Sequence, residues 1–89
     1  MENDKKNKLR QDLSLALMHL CAWEEKDITR SVIYRCWKGY DFAVMDHLKK
    51  NDLIDFNYKA KSLYITDKGI REAERILAKF IPAGYSDSF

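Results

Sequence analysis

Leu9, Leu13, Ala16, Leu17 and Leu20 recur at steps of three and four, which places them on one face of a helix over residues 7–23. Leu15 and Met18, with Trp23, make a second apolar stripe, so one side of this helix can face its own domain and the other a partner chain. Past the charged turn 24–27, Ile28, Val32 and Cys36 repeat at steps of four, as do Ile33 and Trp37. That spacing predicts a second helix over 28–37, against the preference of its β-branched residues. Gly39 stops it, and Asp41 can cap a third helix over 41–51, with Val44, Met45 and Leu48 inward. Polar and apolar residues then alternate from Leu53 to Tyr58, Lys59–Lys61 forms a tip, and Ser62–Ile65 returns as a second strand. Thr66 caps a last helix over 66–81, where Ile70, Ala73, Leu77 and Phe80 share a face with Ile76 and Ile81 beside it, and Pro82 ends it.

The expected order is therefore helix, helix, helix, strand, strand, helix. It describes one α+β, mainly helical domain over 7–81, between a disordered N-terminus (1–6) and an irregular tail (82–89). The 89 residues suit one domain, and 46% of them are hydrophobic, enough for a core with a thin stability margin. Sixteen Lys and Arg oppose fourteen Asp and Glu, so the net charge of +2 permits nucleic-acid binding without demanding it. Lys5, Lys6, Lys8 and Arg10 before the apolar run Leu13–Trp23 mimic an export signal. His19 interrupts that run, however, and Glu24, Glu25 and Lys26 follow it directly. The run is also shorter than the roughly 20 residues that span a bilayer, so a cytoplasmic chain without membrane contact is expected. Cys21 and Cys36 form no C-x-x-C pair. They read first as free thiols in a reducing compartment, with a disulfide or a metal site as the lesser alternatives.

Residues 41–73 carry V-x-x-x-L-K-K-x-D-L-I (44–54), a hairpin, and L-x-I-T-D-K-G-I-x-x-A (63–73). This run resembles the winged helix-turn-helix of multiple-antibiotic-resistance and phenolic-acid-repressor type regulators, which implies a two-stranded wing over 53–65. Asp52 stands where those families usually carry glycine, and must accept left-handed or turn geometry. Arg35, Trp37, Lys38, Gly39, Tyr40, Asp41 and Phe42 spell R-x-W-K-G-Y-D-F. Over roughly residues 10–80 the chain is similar to a family of small bacterial proteins marked by that motif, a likeness that carries identity but no activity.

The winged-helix resemblance makes helix 41–51 the element that enters a DNA major groove, as in a transcriptional regulator. Ala43, Asp46, His47 and Lys50 then form its outer face. Lys49 and Lys50 can meet phosphates, His47 a base edge, and Lys38, Lys59 and Lys61 the flanking backbone. Asp46 opposes this, and residues 38–68 hold six basic against five acidic side chains. The second reading is a protein-interaction module in which Trp37, Tyr40 and Phe42 form an aromatic turn beside Arg35 and Lys38. Against it stands the expectation that Trp37 and Phe42 fill the core and leave Tyr40 half exposed. A homodimer through helices 7–23 and 66–81 follows from their surplus apolar positions, with Leu15, Met18, Ile76, Leu77, Phe80 and Ile81 at the contact. It would set two recognition helices about 34 Å apart. Nothing marks an enzyme: no Gly-rich phosphate loop or H-E-x-x-H occurs, and no motif assembles Cys21, Cys36, His19 and His47. No cofactor or metal ligand is expected, and the sequence does not specify a small-molecule effector.

Overall fold

A computed structural model describes residues 2–80. Its elements are α1 (Glu2–Cys21), β1 (Trp23–Lys26), β2 (Val32–Trp37), α2 (Phe42–Lys50), β3 (Ile54–Asp55), β4 (Ser62–Ile65) and α3 (Asp67–Leu77). The strands form one antiparallel sheet in the order β1-β2-β4-β3.

This arrangement corrects the expected fold. Residues 28–37 are not a helix: they supply the turn and second strand of a β1–β2 hairpin, so the sheet has four strands. A winged helix-turn-helix with a two-stranded wing is thereby replaced by an α-β-β-α-β-β-α order. The physical reason lies in the Asp27 turn. Its carboxylate accepts from the Thr29 and Ser31 amides at 2.9 and 3.0 Å and from the Thr29 hydroxyl at 2.6 Å. Arg30 then takes φ 66°, and the chain reverses with Asp27 N–H donating to the Ser31 carbonyl at 3.1 Å. A step of four suits a strand as well as a helix, and the β-branched Val32 and Ile33 settle the choice for the strand.

The remaining elements follow their capping residues. Asp41 accepts from the Ala43 amide at 2.8 Å and starts α2. Its end is a Schellman motif: Leu53 N–H donates to the Leu48 carbonyl and Asp52 N–H to that of Lys49, both at 3.0 Å, with Asp52 at φ 62°. The expected strand 53–58 shortens to two paired residues. Thr66 accepts from the Gly69 amide at 3.0 Å, starting α3, and its hydroxyl donates to the Asp52 carbonyl at 2.6 Å. α1 begins at Glu2, so residues 2–6 extend the helix that periodicity starts at Asn7. Ile81, Pro82 and the 82–89 tail lie outside the described residues.

All three helices pack on one face of the sheet. Leu15, Ala16 and Met18 of α1, Val44, Met45 and Leu48 of α2, and Ala73 and Ile76 of α3 join Cys36, Ile54, Phe56, Leu63 and Ile65 in one core. Ile70 and Leu77 pack against it. Leu15, Met18 and Ile76 are thus spent inside the chain rather than at a partner. The richer stripe of α1, Leu9, Leu13, Leu17 and Leu20, is exposed. Among the described residues, no helix is long and apolar enough to cross a membrane.

Candidate functional site

Strand alternation sends Trp23 and Glu25 (β1), Ile33, Arg35 and Trp37 (β2), Ser62 and Tyr64 (β4) and Asp55 (β3) to the sheet face opposite the helices. None of these residues is buried, and Trp37 is 64% exposed. The face is built in two linked halves. In the first, Trp23 and Trp37 lie with ring centroids 4.8 Å apart, tilted at 47°. Glu25 accepts from the Trp23 indole at 3.3 Å and pairs with Arg35 at 2.6 Å, so one carboxylate ties an indole to a guanidinium. In the second, Tyr64 donates to Asp55 at 3.0 Å, and Lys49 approaches the same carboxylate at 3.6 Å. Arg35 pairs with Tyr64 in register and joins the halves.

A basic and aromatic edge flanks the second half. The β3–β4 turn closes when Ala60 N–H donates to the Asn57 carbonyl at 3.0 Å and Asn57 accepts from the Lys59 amide at 2.9 Å. Lys38 donates to the Asn57 carbonyl at 2.6 Å and lies over the buried Phe56 ring, 4.4 Å from its centroid. Lys49 donates to the Phe56 carbonyl at 2.8 Å and sits 4.6 and 4.8 Å from the Phe56 and Tyr58 rings. Phe42 lies 6.1 Å from Tyr58. Lys49, Phe56, Asn57 and Tyr58 border an open concavity of about 520 Å³ that also includes Arg35, Ser62 and Tyr64. The Tyr64 hydroxyl and the Phe56 amide hold the Asp55 carboxyl below its ordinary range, with Lys49 adding to the effect. Burial, followed by the Asp55 hydrogen bond, pushes the Tyr64 phenol up. At neutral pH the pair is therefore a carboxylate and a neutral phenol.

The expected site residues divide. Lys38, Phe42 and Lys49 converge on the edge just described, and Lys59 and Lys61 are exposed in the adjoining turn. Trp37 belongs to the open face. Trp37 and, at 59% exposure, Phe42 do not fill the core, contrary to the packing expected of them. Strand pairing turns Trp37 away from the helices, and Phe42 sits just after the α2 cap. Tyr40 is half buried, its hydroxyl 4.0 Å from the Cys36 thiol. Burial raises both of these groups, so neither ionises readily. Ala43 is exposed on α2. His47 borders a separate hollow among α1, α2 and α3, and Lys50 is met by Asp46 at 3.1 Å. Ala43, His47 and Lys50 thus stay exposed on α2, with Asp46 beside Lys50 offsetting its charge.

The sequence pattern does not single out Trp23, Tyr58 or Tyr64 as site residues, and it places Arg35 only beside the aromatic turn. For Arg35 the signal is period-two alternation through Ile33, Arg35 and Trp37, which a helical reading of 28–37 conceals; for Tyr64 it is alternation with the buried Leu63 and Ile65 on a strand that the pattern does predict. Cys21 and Cys36 are free thiols, exposed and buried respectively. Among the described residues, no group of three or more His, Cys, Asp or Glu side chains is placed to hold a metal ion. The open face offers flat aromatic surfaces for stacking, with Arg35 and Lys49 each met by a carboxylate and with Lys59 and Lys61 exposed in the adjoining turn.

No solved structure matches the chain. An uncharacterised protein, y4hR, of Sinorhizobium fredii (strain NBRC 101917 / NGR234) is 45% identical over 47 residues, which are 51% of this chain and 64% of that protein. The match therefore spans less than two thirds of the relative's length. The broader comparison covers nearly all the described chain: residues 6–82 match the model of DUF6429, a domain of unknown function, and the chain belongs to that family.

Proposed function

We propose that this chain is a non-enzymatic, cytoplasmic nucleic-acid-binding domain that takes single strands on the open sheet face rather than duplex DNA on α2. The observation that carries this reading is the tilted pair of half-buried Trp23 and exposed Trp37 beside Arg35 and Tyr64, bordered by Lys38, Lys49, Lys59 and Lys61. Unpaired bases expose flat faces that stack on aromatic side chains with little regard to sequence, at about 1–3 kcal/mol per base. Cations along the edge hold the phosphates. The divided state of His47, Lys49 and Lys50 argues against a groove-reading α2. A reducing cytoplasm suits the two free thiols.

The test is fluorescence anisotropy with labelled single-stranded DNA and RNA and a duplex of equal length. Single strands should bind more tightly than the duplex and weaken as salt rises. Trp37→Ala should weaken binding about fivefold to a hundredfold, the range set by one lost stacked base. Lys59→Glu with Lys61→Glu should weaken it and flatten the salt dependence. Failure of the native chain to bind single strands at low salt, or native-like binding by Trp37→Ala, overturns the reading.

A second reading, a protein partner on the same aromatics, is favoured by Glu25 and Asp55, which already neutralise Arg35 and Lys49. It predicts Trp37-dependent protein association without salt-sensitive oligonucleotide binding.

A further inference from the structure

On α1, the stripe opposite the core carries Leu9, Leu13, Leu17 and Leu20, each between 42% and 53% exposed. Steps of four, four and three keep them in line along the helix. The core uses the other side, through Leu15 and Met18. Four aligned half-exposed leucines exceed the scattered apolar residues of an ordinary solvated helix face.

The charges at the two ends of the stripe differ in sign. Lys5 and Lys6 flank it one turn before Leu9, whereas Asp4 lies on the far side of the helix. Beyond Leu20 the chain leaves α1, and Glu24 stands exposed at the near end of β1 on the helix side of the sheet, with Lys26 on the same face two residues further from the stripe. Glu25 points to the opposite face, where Arg35 holds it. A parallel neighbour of the same sequence would place lysine against lysine and glutamate against glutamate. An antiparallel neighbour instead places Leu9 against Leu20, Leu13 against Leu17, and Lys5 and Lys6 against Glu24. It also opposes the two helix dipoles. The stripe is therefore complementary to itself under a twofold rotation, as an isologous contact requires.

We propose that α1 pairs antiparallel with α1 of a second copy of this chain, through a seam of Leu9, Leu13, Leu17 and Leu20 closed at each end by Lys6 and Glu24. From Leu9 to Leu20 the seam runs about 16 Å. That length makes a small interface, below about 1,200 Å², and a dimer that exchanges at micromolar concentration. The open sheet face lies on the other side of the core, so pairing leaves it free in both copies. The proposal does not depend on what that face binds.

Sedimentation of the full chain over about 1–200 µM tests it. The mass should rise from 10.5 kDa toward twice that value. Leu13→Glu should hold the chain monomeric throughout, with its helical circular dichroism unchanged, because Leu13 is not in the core. Lys6→Glu should weaken pairing about threefold to tenfold, since two symmetry-related ion pairs become repulsive. Adding Glu24→Lys in the same chain should restore it. Both charge variants lie on the surface and keep the test valid if Leu13→Glu unfolds. A native chain that stays monomeric up to 200 µM overturns the proposal, and so does a Lys6→Glu defect that Glu24→Lys does not repair.

Discussion

Gly69 shows how much one side chain can decide. A Cβ built there would lie 1.9 Å from the Leu53 carbonyl oxygen and 2.9 Å from Cγ2 of Ile65. The first of these is backbone, fixed because the Leu53 oxygen also accepts from Thr66 N–H at 3.1 Å. α3 therefore enters the fold only where its third residue lacks a side chain. Gly69→Ala should destabilise the domain by about 3 kcal/mol, at the upper end of overpacking costs, despite alanine's better helix propensity. Urea denaturation checks this: an unchanged midpoint would mean that α3 does not approach residue 53 so closely. The same neighbourhood was legible in the sequence. Thr66 was expected as a cap, and the Asp52 position was expected to need the left-handed geometry that it adopts at φ 62°. Both are local features, written in a few adjacent residues.

At the scale of elements, legibility falls where one pattern admits two periods. Val44, Leu48, Ile54, Leu63 and Ile65 meet in the core as expected, with Ile70 packed against them, because helix 41–51 and the 53–65 hairpin carry unambiguous alternation and caps. Residues 28–37 satisfy steps of two and of four together, and only the Asp27-Thr29-Ser31 turn separates the readings. The helix chosen there hid half of the sheet and, with it, Trp23 and Arg35 as site residues. α1 failed differently. Both its apolar stripes are legible, but the expectation sets Leu15 and Met18 at a partner contact, whereas packing buries them in the core and leaves Leu9, Leu13, Leu17 and Leu20 exposed. Periodicity gives the direction of a stripe and not which neighbour it meets. Adjacent positions on this helix should consequently behave unlike one another. Met18→Ala should cost about 2–5 kcal/mol, because the buried side chain leaves a cavity. Leu17→Ala in a dilute monomeric sample should stay within about 1 kcal/mol. Denaturant midpoints of the two variants at one low concentration decide it: equal losses would contradict the assignment of faces.

For the whole molecule, one sheet face supplies the core and the other faces outward, so charged networks rather than apolar burial organise the outer surface. Two aspartates anchor the two hairpins at opposite edges of the sheet. The Thr29 hydroxyl, with the Thr29 and Ser31 amides, holds Asp27 below its ordinary range, and Tyr64, Phe56 and Lys49 do the same for Asp55. A carboxyl whose folded value lies below its unfolded one binds fewer protons when folded. The stability it supplies is present above the unfolded value, near 4, and is lost as pH falls through the folded value. Neutral-range titration should therefore leave the domain level from pH 7 to 5, and stability should decline below about pH 4. Glu72, held low by Arg75 on α3, adds to the same acid limb with the same sign. Asp55→Asn separates the sheet contribution from that of the helix. The variant should begin less stable at pH 7, having lost the charge that meets Lys49, and should then lose less than the native chain between pH 5 and pH 3. Urea midpoints at pH 7, 5 and 3 measure both slopes. Parallel declines in the native and variant chains would show that the Asp55–Tyr64–Lys49 network contributes nothing to the acid response, and that the outer face is not organised by charge in the way its geometry suggests.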